Sequence, residues 1–171
     1  MHKTYFNWSS GKDSALALYK MQKATTYKID TLVTTVNAAY NRVSMHGLRL
    51  ELLEAQAKSI GLPLKTILLD EKVSMESYNA TMKIEMQALL TQKYTHCIFG
   101  DIFLEDLKKY RQDKLREVGV TGVFPLWKQD TKKILKEFLQ LGFKAIIVCV
   151  NAKLLDASFC GRILDENFLE D

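Results

Sequence analysis

The chain has 171 residues, 47% of them hydrophobic and 26% charged, with a net charge of +4. That suits one soluble globular domain or one and a fraction, and the charge excess is too mild to argue by itself for a nucleic-acid partner. Three cysteines without a close pair or a Cys-x-x-Cys argue against a disulfide framework or a zinc site, and the lack of a signal-peptide core or membrane-length apolar run reads as a cytoplasmic protein with no membrane contact.

The first predicted strand covers 4–8 and runs directly into Ser9-Ser10-Gly11-Lys12-Asp13-Ser14, followed by the helix-like run Ala15-Leu16-Ala17-Leu18-Tyr19. Strand, small-residue loop and helix start together form an anion site. The first helical turn leaves amides unpaired, the helix dipole favours negative charge, and small residues let the backbone approach a phosphate. Ser9, Ser10 and Ser14 add hydroxyls, and Lys12 adds a point charge. The loop is not a Walker A loop, because position 6 is Phe and Gly11-Lys12 precedes Asp13 in place of Ser or Thr. Asp13 repels phosphate, so it either caps the helix or works through a metal. The competing reading of such a cluster is a plain turn with an N-cap.

Further strands are predicted at 29–37, 64–69, 96–99, 120–124 and 145–150. Several are almost continuously apolar, which suits a parallel sheet covered on both faces. Between them Leu50, Leu53, Ala57 and Ile60 recur at helical spacing, as do Tyr78, Met82, Met86 and Leu89, and later Ile134, Leu135, Phe138 and Leu139. The methionine stripe reads as core. Cys97 and Cys149 fall in apolar strand-like runs and read as small hydrophobes. Strand–helix alternation implies an α/β fold with a doubly wound parallel sheet.

In such sheets ligands bind beyond the C-terminal strand ends. This singles out the Ser9–Ser14 loop, the 38–47 loop with His46, Gly100-Asp101, and Pro125-Leu126-Trp127. Asp101 is placed to hold Mg²⁺ among phosphates or to cap a turn. His46 suits phosphate contact or base chemistry, or a simple turn. Arg49, near a helix start, is ill placed for the dipole and hints at an anion. Tyr110-Arg111 could face the same pocket, although a solvated helix face is the stronger reading there, as it is for the basic run from Lys108 to Arg116.

These residues resemble a known family. Ser9-Ser10-Gly11-Lys12-Asp13-Ser14 is similar to the Ser-Gly-Gly-Lys-Asp-Ser loop of the PP-loop, or N-type, ATP pyrophosphatases, with Ser10 in place of the first Gly. Ser44-Met45-His46-Gly47 with Arg49, the stretch from Gly100 to Asp106 with Tyr110-Arg111, Phe124-Pro125-Leu126-Trp127, the run from Leu155 to Arg162 and that from Asp165 to Leu169 resemble the diphthine–ammonia ligase family within them. The likeness spans essentially the whole chain.

The resemblance implies a HUP-type nucleotide-binding domain over 1–128 and, over 129–171, part of a smaller substrate domain. It implies splitting of ATP to AMP and pyrophosphate, an acyl-adenylate, and its amidation by ammonia. The family acceptor is diphthine on elongation factor 2; a bacterial-type member would take another carboxylate. By the same resemblance Ser9, Ser10, Gly11, Ser14 and Gly100 cradle ATP, Lys12 clamps pyrophosphate, and Asp13 and Asp101 serve catalysis, with Mg²⁺. The strand end Thr35-Val36-Asn37 flanks adenine, and His46 and Arg49 contact phosphate or acceptor. Family members continue past the Phe-Leu segment into a Gly/Glu-rich motif, so the C-terminal domain is expected to be incomplete at Asp171. Two other readings stay open: an ATP- or AMP-binding module without ligase activity, and a PP-loop enzyme acting on tRNA. Self-association is also left open.

Overall fold

The computed structural model describes residues 1–170; Asp171, where the sequence ends, lies outside them. They fall into two compact units, Met1–Lys128 and Gln129–Asp171.

The first unit is built on a six-stranded sheet. β1 (His2–Asn7), β2 (Tyr27–Asn37), β4 (Leu64–Leu69), β5 (His96–Ile98) and β6 (Thr121–Val123) run parallel. β4 lies against β2, β2 against β1, β1 against β5 and β5 against β6. Four helices connect them: α1 (Lys12–Lys23), α2 (Leu50–Ile60), α3 (Met75–Thr91) and α4 (Glu105–Glu117). The chain first builds outward from β1 through β2 to β4. It then returns to lay β5 and β6 on the other side of β1. The strand order therefore reverses between β1 and β5, and a crevice opens at such a reversal. An element not anticipated from the sequence, β3 (Arg42–Val43), pairs antiparallel with Val36 and Asn37. Two residues carry no readable alternation, so only the structure reveals it.

Period-two alternation splits the core. Tyr5, Val33, Ile67, Cys97 and Phe99 join Leu89 of α3 and Leu115 of α4 in one cluster, with Tyr78, Met82 and Met86 packed against it. The alternate positions Phe6, Leu32 and Ile98 are fully buried as well. Both faces are thus covered, as the apolar runs implied.

At the N-terminal end of the sheet the His2 and His96 rings lie 4.2 Å apart, and Tyr27 sits 5.5 Å from His96. Burial, and then the charge of His2, lower the His96 pKa. The folded state therefore binds a proton less readily than the unfolded chain. Its stability is full above the unfolded value near 6.5 and falls as pH drops below it. Urea denaturation between about pH 8 and pH 5 should show this decline, and His96→Gln should flatten it.

In the second unit α5 (Thr131–Gln140) starts at Asp130, whose carboxylate accepts the Lys133 amide at 2.8 Å. Ile134 and Phe138 are buried, and Phe138 stacks on Phe143 at 5.1 Å. The strand expected at 145–150 is not formed. The run makes one bridge, Ile146 with Ile163, through hydrogen bonds between Ile147 and the 161–162 turn and from Leu164 to Ala145. Among the described residues no strand partner continues beyond Ile147, and Ile146 and Val148 are 61% and 68% exposed. Cys149, read as a buried hydrophobe, is exposed, whereas Cys97 is buried. A short 3₁₀ turn (Ala157–Phe159) and α6 (Glu166–Glu170) complete the unit.

Candidate active site at the strand-order reversal

The loop after β1 is held by its own hydroxyls. Ser9 Oγ and Ser14 Oγ lie 2.7 Å apart, the Gly11 amide donates to Ser9 Oγ at 3.4 Å, and the Ser10 hydroxyl donates to the Ser9 carbonyl. Gly11 is the N-cap of α1, and no side chain among the described residues caps the helix. Its first-turn amides and dipole are left available to an anion. Asp13 is therefore not the cap. Its carboxylate pairs with Lys12 Nζ at 2.5 Å, both side chains being about one-third exposed.

Ser10 has φ = +66°. A non-glycine residue in the left-handed region is strained by about 1–2 kcal/mol, partly offset because glycine is costlier to order. This is the position where the family loop carries Gly. Ser10→Gly should raise stability by about 0.5–1 kcal/mol in urea denaturation.

Two neighbouring segments press on this loop. A Cβ on Gly11 would lie 2.9 Å from His46 Nε2, so the imidazole sits against the loop backbone. A Cβ on Gly100 would lie 2.8 Å from the Ser14 amide nitrogen and 2.9 Å from its Cα. The end of β5 thus rests directly on the first turn of α1. Asp101 follows, hydrogen-bonded to Arg111 of α4; the two side chains are only 19% and 16% exposed. The Arg111 guanidinium lies 4.6 Å over the Phe99 ring.

These groups border one cavity of about 740 Å³. Of the residues singled out in the sequence, Ser9, Asp13, Ser14, His46, Gly100 and Asp101 line it. Ser10, Gly11 and Lys12 complete the adjoining loop. Val36, Asn37 and Arg49 stand apart. Val36 is fully buried between β4 and β3. The Asn37 carboxamide accepts the Ala39 and Tyr40 amides at 3.1 and 3.2 Å, and Arg49 is exposed at the N-cap of α2. Thr35, from the same expected strand end, does line the cavity, with Thr34 beside it, and Thr34 Oγ1 donates to the Trp8 carbonyl at 2.7 Å.

Residues 2–122 match the diphthamide synthase N-terminal domain, and residues 130–171 match the diphthamide synthase C-terminal domain. The chain belongs to the diphthamide synthase family. Membership of the diphthamide synthase family makes it a PP-loop protein within an enzyme family.

Solved structures with a similar fold include a predicted subunit of tRNA methyltransferase from Methanocaldococcus jannaschii. It is 18% identical over 82% of this chain and 76% of that one, with a TM-score of 0.55. A second is the U34-tRNA thiolase NcsA from Methanococcus maripaludis with its [4Fe-4S] cluster, 15% identical over 83% of this chain and 57% of that one, with a TM-score of 0.51. At these identities the likeness is one of fold. No curated protein matches the chain. No described helix is long and apolar enough to cross a membrane.

Among the described residues no three metal-ligating side chains cluster, so there is no all-protein metal cage. Asp13 and Asp101 both reach the cavity. Mg²⁺ is usually held by one or two carboxylates together with substrate phosphates, and this pair fits that arrangement.

Tyr110 and Arg111, read mainly as a solvated face, line the cavity, as do Tyr78 and Asn79. The Tyr110 hydroxyl donates to the Asn79 side-chain oxygen. In the sequence Tyr78 belongs to a core stripe. The polar Asn79 beside it was the available signal that this stripe borders something other than core.

Proposed function

We propose that this diphthamide synthase family member is an ATP-dependent carboxylate–ammonia ligase acting in the cytoplasm. The observation that carries the reading is the contact of Gly100 with the first turn of α1, because it sets the uncapped PP-loop beside Asp101 at the strand-order reversal. In the reaction, a carboxylate oxygen attacks the α-phosphorus of ATP, and the bond to the bridging oxygen of pyrophosphate breaks. Ammonia then attacks the acyl carbon, AMP departs with the bonding pair, and the nitrogen loses a proton.

The geometry supports the following roles. First-turn amides of α1 and the Ser9 and Ser14 hydroxyls receive phosphate oxygens. Lys12 leaves Asp13 to meet the pyrophosphate as charge develops on it. Asp101, fixed by Arg111, faces the α-phosphate side. Bound Mg²⁺ would screen phosphate charge and sit against Asp13 and Asp101. Val36, Asn37 and Arg49, which lie off the cavity, would touch the nucleotide only through backbone or after rearrangement. Residues 129–171 would form part of a substrate domain. The acceptor is diphthine on elongation factor 2 by family resemblance, or another carboxylate.

An RNA acceptor is disfavoured by charge pairing. Arg111, Lys114, Arg116 and Lys128 are paired with Asp101, Glu117, Asp113 and Glu105, which offsets part of the basic charge around α4 that RNA binding would use. Incubation with ATP, Mg²⁺, ammonium and cell extract should yield AMP and pyrophosphate together with an amidated carboxylate. Release of ADP and phosphate would remove this reading, and ATP binding with no pyrophosphate would leave a nucleotide-binding module.

A further inference from the structure

The sequence places Pro125-Leu126-Trp127 at the ligand end of a strand, yet none of residues 124–128 lines the cavity. The place of this segment is set by register. β5 and β6 run parallel with Ile98 beside Val123, and the Phe99 amide donates to the Val123 carbonyl at 2.9 Å. Phe99 and Phe124 are the next residues along the two strands, so their side chains fall together on one face. Their rings stack at 5.2 Å with 12° between the planes.

Each ring of the pair also meets a cation. Phe99 lies 4.6 Å from the Arg111 guanidinium. Phe124 lies 5.2 Å from the Lys108 ammonium, which stands 4.1 Å from the Trp127 ring, itself set edge-on to Phe124. Lys108 and Arg111 are three residues apart on α4 and share one of its faces. Lys108 is engaged by Phe124 and Trp127, and Asp101 pairs with Arg111.

Asp101 is bracketed by this arrangement. Two residues before it, Phe99 stacks on Phe124. One residue after it, the Ile102 carbonyl accepts the Lys128 amide at 2.7 Å. Both anchors belong to 124–128, and Lys128 makes its bond at φ = +57°, in the left-handed region that a residue with a Cβ avoids. The bond from Arg111 to Asp101 does not fix the carboxylate by itself. It runs through one guanidinium nitrogen, Nη1, and a single bond lacks the geometric hold of a bidentate fork. A ring against the guanidinium plane adds the missing constraint, but only while that ring is itself held.

We infer that Phe124 is a positioning residue for Asp101: it holds the Phe99 ring, which holds the Arg111 guanidinium, which fixes the carboxylate at the cavity. The consequence for catalysis rests on the carboxylate-activating reading above. Phe124 touches no reacting atom there, but a group displaced by about 1 Å from its working place costs up to about a hundredfold in rate.

The test uses the full chain carrying Phe124→Leu, which keeps apolar bulk and removes the flat ring, or Phe124→Tyr, which restores the ring. The Arg111 Nε–Hε resonance, assigned through Arg111→Lys, should stand displaced from the free-arginine position by the Phe99 ring current. Phe124→Leu should cut that displacement by at least half, and Phe124→Tyr should recover it. Pyrophosphate release per folded molecule should fall about tenfold in Phe124→Leu. ATP affinity by calorimetry should stay within about twofold of the parent, because the first-turn amides of α1 still receive the phosphates. Added to Asp101→Asn, Phe124→Leu should cause no further loss of the residual rate. A purely structural Phe124 would lower urea stability but leave the Arg111 resonance and the turnover of folded molecules unchanged, and that result overturns the inference. So does a tenfold loss that persists beside Asp101→Asn. Should Phe124→Leu fail to fold, Gly122→Ala decides, since its methyl would lie 3.1 Å from the Phe124 ring and tilt it. If the parent releases no pyrophosphate, the ligase reading falls, and the Arg111 resonance alone decides whether Phe124 positions Asp101.

Discussion

Lys12→Ala should lower ATP-dependent pyrophosphate release by two orders of magnitude or more while leaving the fold intact. Removing one preorganised group aimed at developing charge costs about 3 kcal/mol of transition-state stabilisation, because such a group needs no reorganisation when the bond breaks. The ground-state role of Lys12 is much smaller. Its pairing with Asp13 is about one-third exposed on both sides, and exposed pairs contribute about 0–1 kcal/mol. Thermal unfolding of the variant should thus stay within about 3 °C of the parent, and its release rate should carry nearly the whole loss. A rate within threefold of the parent would show that Lys12 does not face the leaving group.

Gly100→Ala should damage fold and site together. The new methyl meets backbone, the Ser14 nitrogen at 2.8 Å and its Cα at 2.9 Å, and backbone in the first turn of a helix cannot rotate aside. Overpacking of this kind costs about 1–3 kcal/mol, and relief requires β5 to move off α1. That motion separates Asp101 from the PP-loop, so ATP affinity should fall at least tenfold alongside the stability loss. Gly122 provides the control. A Cβ there would meet the Phe124 ring at 3.1 Å and Leu115 Cδ1 at 3.2 Å, both side-chain atoms able to shift. Gly122→Ala should cost less than Gly100→Ala and leave ATP affinity unchanged, as read by urea denaturation and calorimetry.

Long apolar runs announced themselves in the sequence because both faces of a parallel sheet are buried. Strands at 29–37, 64–69 and 96–99 formed within two residues of their expected ends. The same rule failed at 145–150, where composition alone indicated a strand. A strand needs a continuous partner, and the 161–164 segment supplies only one bridge. The serine loop stood out because its chemistry is contiguous, with Ser9, Gly11, Lys12 and Ser14 in one short segment. The closeness of Gly100 to Ser14 followed from a general rule about strand ends. The cavity floor was not legible at all. Tyr5 reads as an ordinary inward-facing strand residue, and its place among Val33, Ile67 and Cys97 exists only once their strands are assembled. The side-chain tie of Asn37 to its own turn was equally hidden, since adenine contact and an Asx turn call on the same residue type.

Ser14 and Gly100 touch across 86 residues of chain, because β5 returns to pair with β1 on the side away from β2 and β4. Contacts of such long sequence separation form late, because loop closure precedes their reward. Partly folded chains therefore lack the crevice beside α1 even when the serine loop has already turned. A nucleotide that requires both lips of the crevice binds only the finished unit, and at a hundred times its dissociation constant it would deepen the native well by about 2.7 kcal/mol. Under the proposed ATP-binding reading, ATP would in that way act as a chaperone-like ballast for the unit Met1–Lys128.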